Sequence, residues 1–591
     1  MNSRLLAIVL VLLVVLGIYA YLSLTRKEIE YPIGSINWDR ENPSNVSASY
    51  LLLSNWINGS VLIRTGFPYV GEFNPFTLTD FLYGKDGILP MSIKMQQFVN
   101  SSCAFLSQNN TVVMRGYNGS ACVAYPLYSS YVIVKNQLKG NTTYLINLSK
   151  KPVNLSVSSD CVEIDFPPLV KIFSPNSSIT EKNDTVYIIT KPTSYLEVIL
   201  GNLNRRSPNV LLNSNALEVR KWLSKSPTRF NTTLSSEFNI SLLLIKDDQN
   251  PVTGEFVASP VPIYYYSWVR DSSFDAIALQ MSRHFSSALK YWLWMAKVQN
   301  SSGTWYTRYN FYTGIPDQTF GIPEYDSVGL FMIGTVQYYE LTGNKSFLLS
   351  IANVLNRSLQ WEVGNVKSSG ILPQDLSIWE DNYQYNFWTQ AIDDIGLVYL
   401  ENVSDALGFN RTLIMTTVKQ LNSTIQKYFY SKGMYAEYVE KSVLFENGKS
   451  EVVYTPFDLP DSSSILPLAM GLMPINSNMT LSDINTMITN LTVNGGLARF
   501  LGDTYHYTSV LTDSSGPMPP WVITTLFLGY YYAMAGNYTG TKELLTWSYE
   551  HSAHGLLPEA IDPRYGNPLP STTPLTWSAA MFVINYLMIY R

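Results

Sequence analysis

Pro520-Trp521-Val-Ile-Thr-Thr-Leu-Phe-Leu-Gly-Tyr-Tyr-Tyr-Ala-Met-Ala535-Gly536 reads as one helix with its punctuation in place. Proline presets the backbone where a helix starts, and glycine takes the left-handed turn where it stops. The same grammar recurs upstream. Leu289, Trp292, Leu293 and Ala296 follow at i, i+3, i+4 and i+7, the spacing of one helical face. Thr342-Gly343-Asn344 and Leu407-Gly408 supply two further stops. Helical hairpins of this kind after about 255, with no regular sequence repeat, predict an all-α toroid and disfavour an open solenoid or a βαβ fold.

From about 30 to 245 the period is that of strands. Thr111-Val-Val-Met, Tyr131-Val-Ile-Val, Thr143-Tyr-Leu-Ile, Thr185-Val-Tyr-Ile-Ile and Tyr195-Leu-Glu-Val-Ile-Leu are β-rich runs separated by Asn-Gly, Pro-Asn and Lys-Asn breaks. They predict a large antiparallel β-sandwich, with a helical connector over 204–230. Ahead of it, the uncharged apolar run Leu5–Leu24 has the length that crosses a bilayer, about 20 residues. It is read as an uncleaved anchor or a cleaved signal peptide. Arg4 on one flank and Arg26 with Lys27 on the other leave orientation to other evidence. The expected organisation is 1–27 anchor or signal, 28–250 β-sandwich and 251–591 helical barrel.

Composition narrows the class. The net charge of −5, without a basic stretch, argues against nucleic-acid binding. Charged residues make up 14% of the chain, against about 25% in an average soluble protein. A surface poor in carboxylates gains little repulsion when they protonate, which suits acidic surroundings. Sequons begin at Asn45, Asn58, Asn100, Asn118, Asn141, Asn231, Asn300, Asn402, Asn478 and Asn537, among others. Their density favours an exported chain carrying N-linked glycans. Cys103, Cys122 and Cys161 allow one disulfide at most, and proximity favours Cys103–Cys122. His551 and His554 share a helix face without a third ligand nearby, so no metal is expected.

Two glutamates in aromatic, turn-rich frames carry the chemistry. One lies in Leu372-Pro-Gln-Asp-Leu-Ser-Ile-Trp379-Glu380-Asp381, the other in Gly555-Leu-Leu-Pro-Glu559-Ala-Ile-Asp562 ahead of Leu575-Thr-Trp577-Ser. Tyr264-Tyr-Tyr-Ser-Trp268-Val-Arg270-Asp271 adds a charge pair between rings. Two carboxyls on opposite sides of a sugar, aromatic walls and charged hydroxyl clamps are what glycosidic cleavage requires.

These segments resemble glycoside hydrolase family 15, the glucoamylases and their relatives, in the prokaryotic or archaeal form. Tyr264–Asp271 is similar to the family's Tyr-x-Tyr-x-Trp-x-Arg-Asp, and Trp379-Glu380-Asp381 to the Trp-Glu-Glu that holds the general acid. Leu557-Pro-Glu559 with Leu575-Thr-Trp577-Ser578 resembles the stretch of the general base. Arg499-Phe-Leu-Gly-Asp503-Thr-Tyr505 and Asp461-Ser-Ser-Ser-Ile-Leu-Pro match two more segments. The resemblance implies an (α/α)6 barrel, an N-terminal β-sandwich and an inverting, exo-acting hydrolase of α-glucosidic bonds. Such a hydrolase is expected to release β-glucose from the non-reducing ends of α-glucans or oligosaccharides and to need no metal or cofactor. The sequence departs from the fungal pattern at Phe320, where those enzymes carry a sugar-contacting tryptophan, at Asp381, and from prokaryotic relatives at Ser327. These changes bear on linkage and chain length, so trehalase and α-1,6-glucan hydrolase remain alternatives within the family. A catalytically silent, membrane-tethered glycan-binding protein is the alternative from another class.

Each residue then has an expected role. Glu380 is the general acid, with Trp379 and Asp381 beside it disfavouring ionisation, and Glu559 is the base that activates water. An inverting pair stands roughly 6.5–9.5 Å apart. Arg270, Asp271 and Arg499 are expected to grip hydroxyls of the terminal sugar; Tyr264, Trp268, Trp379 and Trp577 are expected to wall it, with Asp381 among the binding groups. Asp326 and Asp461 read as supporting or helix-capping groups.

Overall fold

The computed structural model describes five short strands between 50 and 88 and the chain from 91 to 590, apart from 97–102, 108, 117–118, 125, 127–130, 167–168, 228–232, 261–263, 265, 312, 447–448, 504–517 and 570–571. The apolar run Leu5–Leu24 lies outside these residues, as do Asn45, Asn58, Asn100, Asn118, Asn231, Thr504 and Tyr505. Among the described residues, no helix is long and apolar enough to cross a membrane.

The first half forms two antiparallel sheets, of nine and eight strands among the described residues. In the first, Thr142–Leu148 lies between Met91–Gln96 and Thr185–Thr190, with Tyr144 opposite both Met95 and Ile188. In the second, Tyr131–Leu138 pairs with Ser194–Leu200, Val134 opposite Leu196. Alternation sends Ile93, Tyr144, Ile146 and Ile188 of one sheet and Val132, Val134, Leu196 and Val198 of the other into a shared core. Tyr131 and Ile133 point the opposite way and pack with Leu211 of the helix Pro208–Leu223. That helix covers the sheet's outer face, which is why Tyr131–Val134 is buried without a break. Cys122 is a free thiol, contrary to the expected Cys103–Cys122 bridge. Strand Thr111–Gly116 runs between the strands of the two cysteines, so closeness in sequence does not become closeness across the sheet.

The second half is an α/α barrel. Among the described residues the helices alternate between an outer and an inner ring of six positions each, with the short helices Lys345–Ser350 and Ser404–Leu407 in the connections. The inner ring comprises Val269–Met281, Asp326–Thr342, Phe387–Asn402, the irregular turns Ile465–Pro467 and Leu468–Leu472, Val522–Met534 and Thr576–Tyr590. Each packs on the next, and the last returns to the first. Inner helices are buried all round, as Asp326–Val336 is, whereas outer ones such as Ala352–Ser369 bury one stripe. Thr233–Asp247 is the outer helix packed against Thr576–Tyr590, so the helical ring begins at 233, upstream of the expected boundary at 251.

Glycines set how closely the helices approach. Gly329 and Gly396 touch between two inner helices, where a Cβ on Gly396 would lie 2.6 Å from the Gly329 Cα. At Gly334 the ring of Trp292 fills the place of a Cβ. This contact fixes the phase of the outer helix Phe285–Val298: it buries Ala288, Tyr291, Trp292 and Met295 and leaves Leu293 exposed. The stripe therefore differs from the expected Leu289, Trp292, Leu293 and Ala296. A helix apolar on most of its circumference offers two faces of equal period, and packing chooses between them. The sequence-read helix ending at Gly536 is Val522–Met534, entered from a short strand at Pro520–Trp521.

Candidate active site

The first turns of the first, fifth and sixth inner helices, with the loops that lead into the ring, line a cavity of about 340 Å³, and the second and fourth helix starts support it from behind. Arg270 and Asp271 open the first helix, Asp326 the second, Asp461 caps the turn that leads into the fourth, Ile523 lies in the fifth, and Trp577 opens the sixth. Helix N-termini carry partial positive charge, a setting in which carboxylates are favoured. The ten site residues expected from sequence, Tyr264, Trp268, Arg270, Asp271, Trp379, Glu380, Asp381, Arg499, Glu559 and Trp577, all line this cavity.

Glu380 stands in the loop before Phe387–Asn402. Its backbone has φ 60°, and that of Ser377 has φ 54°. A left-handed conformation at a non-glycine residue costs on the order of 1–3 kcal/mol and is concentrated at functional sites. The Glu380 side chain is 27% exposed, and its nearest charged partner is Arg270 Nη2 at 3.4 Å. Asp381 turns to Arg499, 3.9 Å away, where burial raises its pKa and Arg499 opposes the shift. The indole Nε1 of Trp379 donates to Asp461 at 2.9 Å, and Asp461 also accepts from the Ser463 amide at 2.8 Å, so it is a helix cap as expected.

Arg270 is the hub of the cavity floor. Nη1 lies 2.7 Å from Glu324 and 3.7 Å from Asp326, and Nε lies 3.9 Å from Asp271. Burial alone would lower the Arg270 pKa, but Glu324, Asp326, Asp271 and Glu380 together raise it. Asp326 is fixed by the Trp388 indole at 2.8 Å. Burial drives Glu324 well above the usual carboxylate range despite Arg270. Asp271 is pushed up to about 7, first by burial, with Arg270 opposing and the charges of Glu380 and Glu559 adding to the rise. Asp271 thus lies within the electrostatic reach of both glutamates.

Glu559 is 7% exposed and comes from the loop joining the fifth hairpin to the last inner helix. Its amide donates to the Thr572 carbonyl at 2.9 Å and its carbonyl accepts from Val522 at 3.1 Å, which pins the residue in place. The Tyr264 hydroxyl lies 3.3 and 3.4 Å from its two oxygens. Arg499 is clamped by Asp503 through bonds of 2.9 and 2.8 Å and lies over the Trp521 ring at 4.4 Å. Trp577 lies beneath Arg270, with the guanidinium 5.7 Å from its ring.

Sequence reasoning missed Glu324, Arg308 and Trp521. Glu324 is two residues before Asp326 in Pro-Glu-Tyr-Asp, and that pair of carboxyls was its available signal. Arg308 reaches the cavity because its strand pairs with Tyr266–Trp268, a contact no local pattern announces. His551 does not line the cavity and holds the Trp547 carbonyl at 2.7 Å. Among the described residues no group of three acidic, histidine or cysteine side chains could hold a metal ion.

Residues 238–509 match the model of the glycosyl hydrolases family 15. Over 433 residues the chain is 25% identical to an uncharacterized glycosyl hydrolase of Methanocaldococcus jannaschii, a match covering 69% of this chain and 63%, under two thirds, of that protein. A bacterial glucoamylase complexed with acarbose has the same fold, with a TM-score of 0.66 and 14% identity over 91% of this chain and 93% of its own. A glycosidase variant in complex with glucose matches with a TM-score of 0.50 and 18% identity over 62% of this chain and 98% of its own.

Proposed function

We propose that this chain, whose residues 238–509 match the model of the glycosyl hydrolases family 15, is a member of that family and an inverting exo-hydrolase of α-glucosidic bonds that releases β-glucose from non-reducing ends. The observation that carries this reading is that Glu380 and Glu559 come from separate loops yet face one cavity walled by aromatic rings and arginines. Glu380 delivers a proton to the glycosidic oxygen as the bond to the anomeric carbon breaks. Glu559 takes a proton from water as that water attacks the opposite face, which inverts the configuration. Arg270, Asp271 and Arg499 hold the terminal sugar's hydroxyls, and Tyr264, Trp268, Trp379 and Trp577 exclude water around its ring. Starch-like glucans and oligosaccharides are the substrates proposed.

The same proposal places the protein outside the cell, held by the apolar N-terminal run or released after its cleavage. In support, Asn141, Asn402 and Asn478 are exposed on the folded chain. Asn300 and Asn537 instead spend their side chains on local bonds, to Thr304 at 2.8 Å and from the Gly540 amide at 3.1 Å, and are poor acceptors.

Proton NMR of the protein with maltotriose, trehalose and isomaltose at mildly acidic pH tests the activity. β-Glucose appearing before its α anomer is expected, and the sugar consumed identifies the linkage. Glu380→Gln and Glu559→Gln should each lose roughly 10²–10⁴-fold in rate while staying folded. Near-wild-type turnover by either variant removes that residue from its role. Binding without turnover by the wild type would favour a silent glycan-binding protein.

A further inference from the structure

Arg308 is a cation in the cavity wall to which the reading above gives no task. It begins the strand Arg308–Asn310 and pairs directly with Trp268. Its guanidinium lies 4.2 Å from the ring centre of Tyr266, 5.0 Å from that of Trp268 and 4.5 Å from that of Phe320. Asp317 accepts from Nε and Nη2, each at 2.8 Å, and is itself fixed by the Thr319 amide and hydroxyl at 3.1 and 2.6 Å. Rings and carboxylate together hold the guanidinium in one orientation. Its third edge, Nη1, has no partner among the described residues.

Position separates Arg308 from the other two arginines. Its side chain is 17% exposed, against 4% for both Arg270 and Arg499. The loop that anchors it is open to solvent at Gln318, Thr319 and Gly321. Arg270 and Arg499 therefore belong to the floor and Arg308 to the rim. A substrate whose terminal sugar fills the floor places its second sugar at the rim. There one face of Phe320 is already covered by Arg308 and is not offered for stacking.

We propose that Arg308 is the specificity-determining residue for the second sugar, donating from Nη1 to a hydroxyl of the leaving-side ring. The preferred substrates are then α-linked di- and oligosaccharides whose leaving group carries hydroxyls, above α-glucosides of plain aryl alcohols. This inference rests on the reading of the cavity as an α-glucoside hydrolase.

The test compares wild type, Arg308→Gln and Asp317→Asn on maltose, maltotriose and 4-nitrophenyl α-glucoside, with glucose as inhibitor. A hydrogen bond from a charged donor is at stake, so Arg308→Gln should raise KM for both saccharides about tenfold or more. Turnover numbers should stay within about threefold, and the aryl glucoside and glucose inhibition should be unaffected. Asp317→Asn keeps the cation but loosens its orientation, so a smaller rise in the same direction is expected. Should Arg308→Gln fail to fold, Asp317→Asn and Arg308→Lys carry the same comparison. Equal losses on the aryl glucoside, a changed glucose inhibition constant, or no change at all would overturn the proposal. Calorimetric titration with maltose separates it from the wider reading. Wild type that binds maltose without turnover, next to a variant that binds it tenfold more weakly, keeps the role of Arg308 and removes the hydrolase. Wild type that does not bind maltose removes both.

Discussion

Replacing Arg270 by Met should destabilise the fold through the carboxylates it leaves behind. Arg270 is 4% exposed, and its most deeply buried partners Glu324 and Asp326 are 2% and 1% exposed, at 2.7 and 3.7 Å. Removing one member of a buried pair leaves the other uncompensated, at a cost of about 3–5 kcal/mol. Most of that cost belongs to Glu324 and not to the lost contact itself. Adding Glu324→Gln to Arg270→Met should therefore return roughly 2 kcal/mol, a coupling that a double-mutant cycle measures directly. The assay is denaturant unfolding of wild type, both single variants and the double variant at pH 7 and again at pH 5. Without Arg270, the folded-state pKa of Glu324 rises further above its unfolded value. The penalty for holding it charged is then greatest above neutrality and shrinks as pH falls and the carboxyl takes a proton. The double variant should regain stability yet stay inactive, because Arg270 is still missing from the floor. A cost below about 1 kcal/mol for Arg270→Met, or no coupling with Glu324, would refute the hub.

Stability of the whole protein should decline as pH rises from about 5 to 8. Asp375, Asp394 and Asp483 are pushed up to about 7 and Glu237 and Glu255 to about 8, all chiefly by burial. Each folded-state pKa lies above the unfolded value, so the folded chain binds more protons and the benefit is lost as pH climbs through that range. Lys246, lowered to about 7 by burial, and His284, lowered also by burial, act in the opposite sense but are fewer. A melting temperature that increases from pH 5 to pH 8 would contradict this. Gly396→Ala should cost about 1–3 kcal/mol by forcing two inner helices apart, whereas Gly364→Ala, on an exposed helical face with nothing within 4 Å, should be neutral or stabilising; thermal melts of the pair read the difference. Trp379→Phe keeps the ring but loses the bond to Asp461, and should cost about 1.5–3 kcal/mol in chemical unfolding.

The cavity was legible in the sequence where a residue's task is written beside it. Glu380 next to Trp379, Glu559 behind a proline, and Arg270 beside Asp271 in an aromatic frame all came together as expected. What was not legible depends on partners far along the chain. Asp381 was expected to act on its neighbour Glu380, but folding brings Arg499, over a hundred residues away, within 3.9 Å of it. Arg270, not Asp381, is the charge against Glu380. The phase of the helix Phe285–Val298 was likewise decided by a glycine on another helix, Gly334, and not by its own pattern. The disulfide expectation failed for the same kind of reason, since a third strand separates two cysteines that are near in sequence.

The ring closes where the inner helix Thr576–Tyr590 packs on Val269–Met281. Trp577 belongs to that last helix, and Glu559 to the loop before it. During synthesis, therefore, every nascent chain that has reached only as far as the fifth inner helix holds the candidate acid but neither the base nor the wall opposite. On the proposed roles, ring closure is also the step that brings acid, base and wall together, because the last helix to be made is the one that packs on the first.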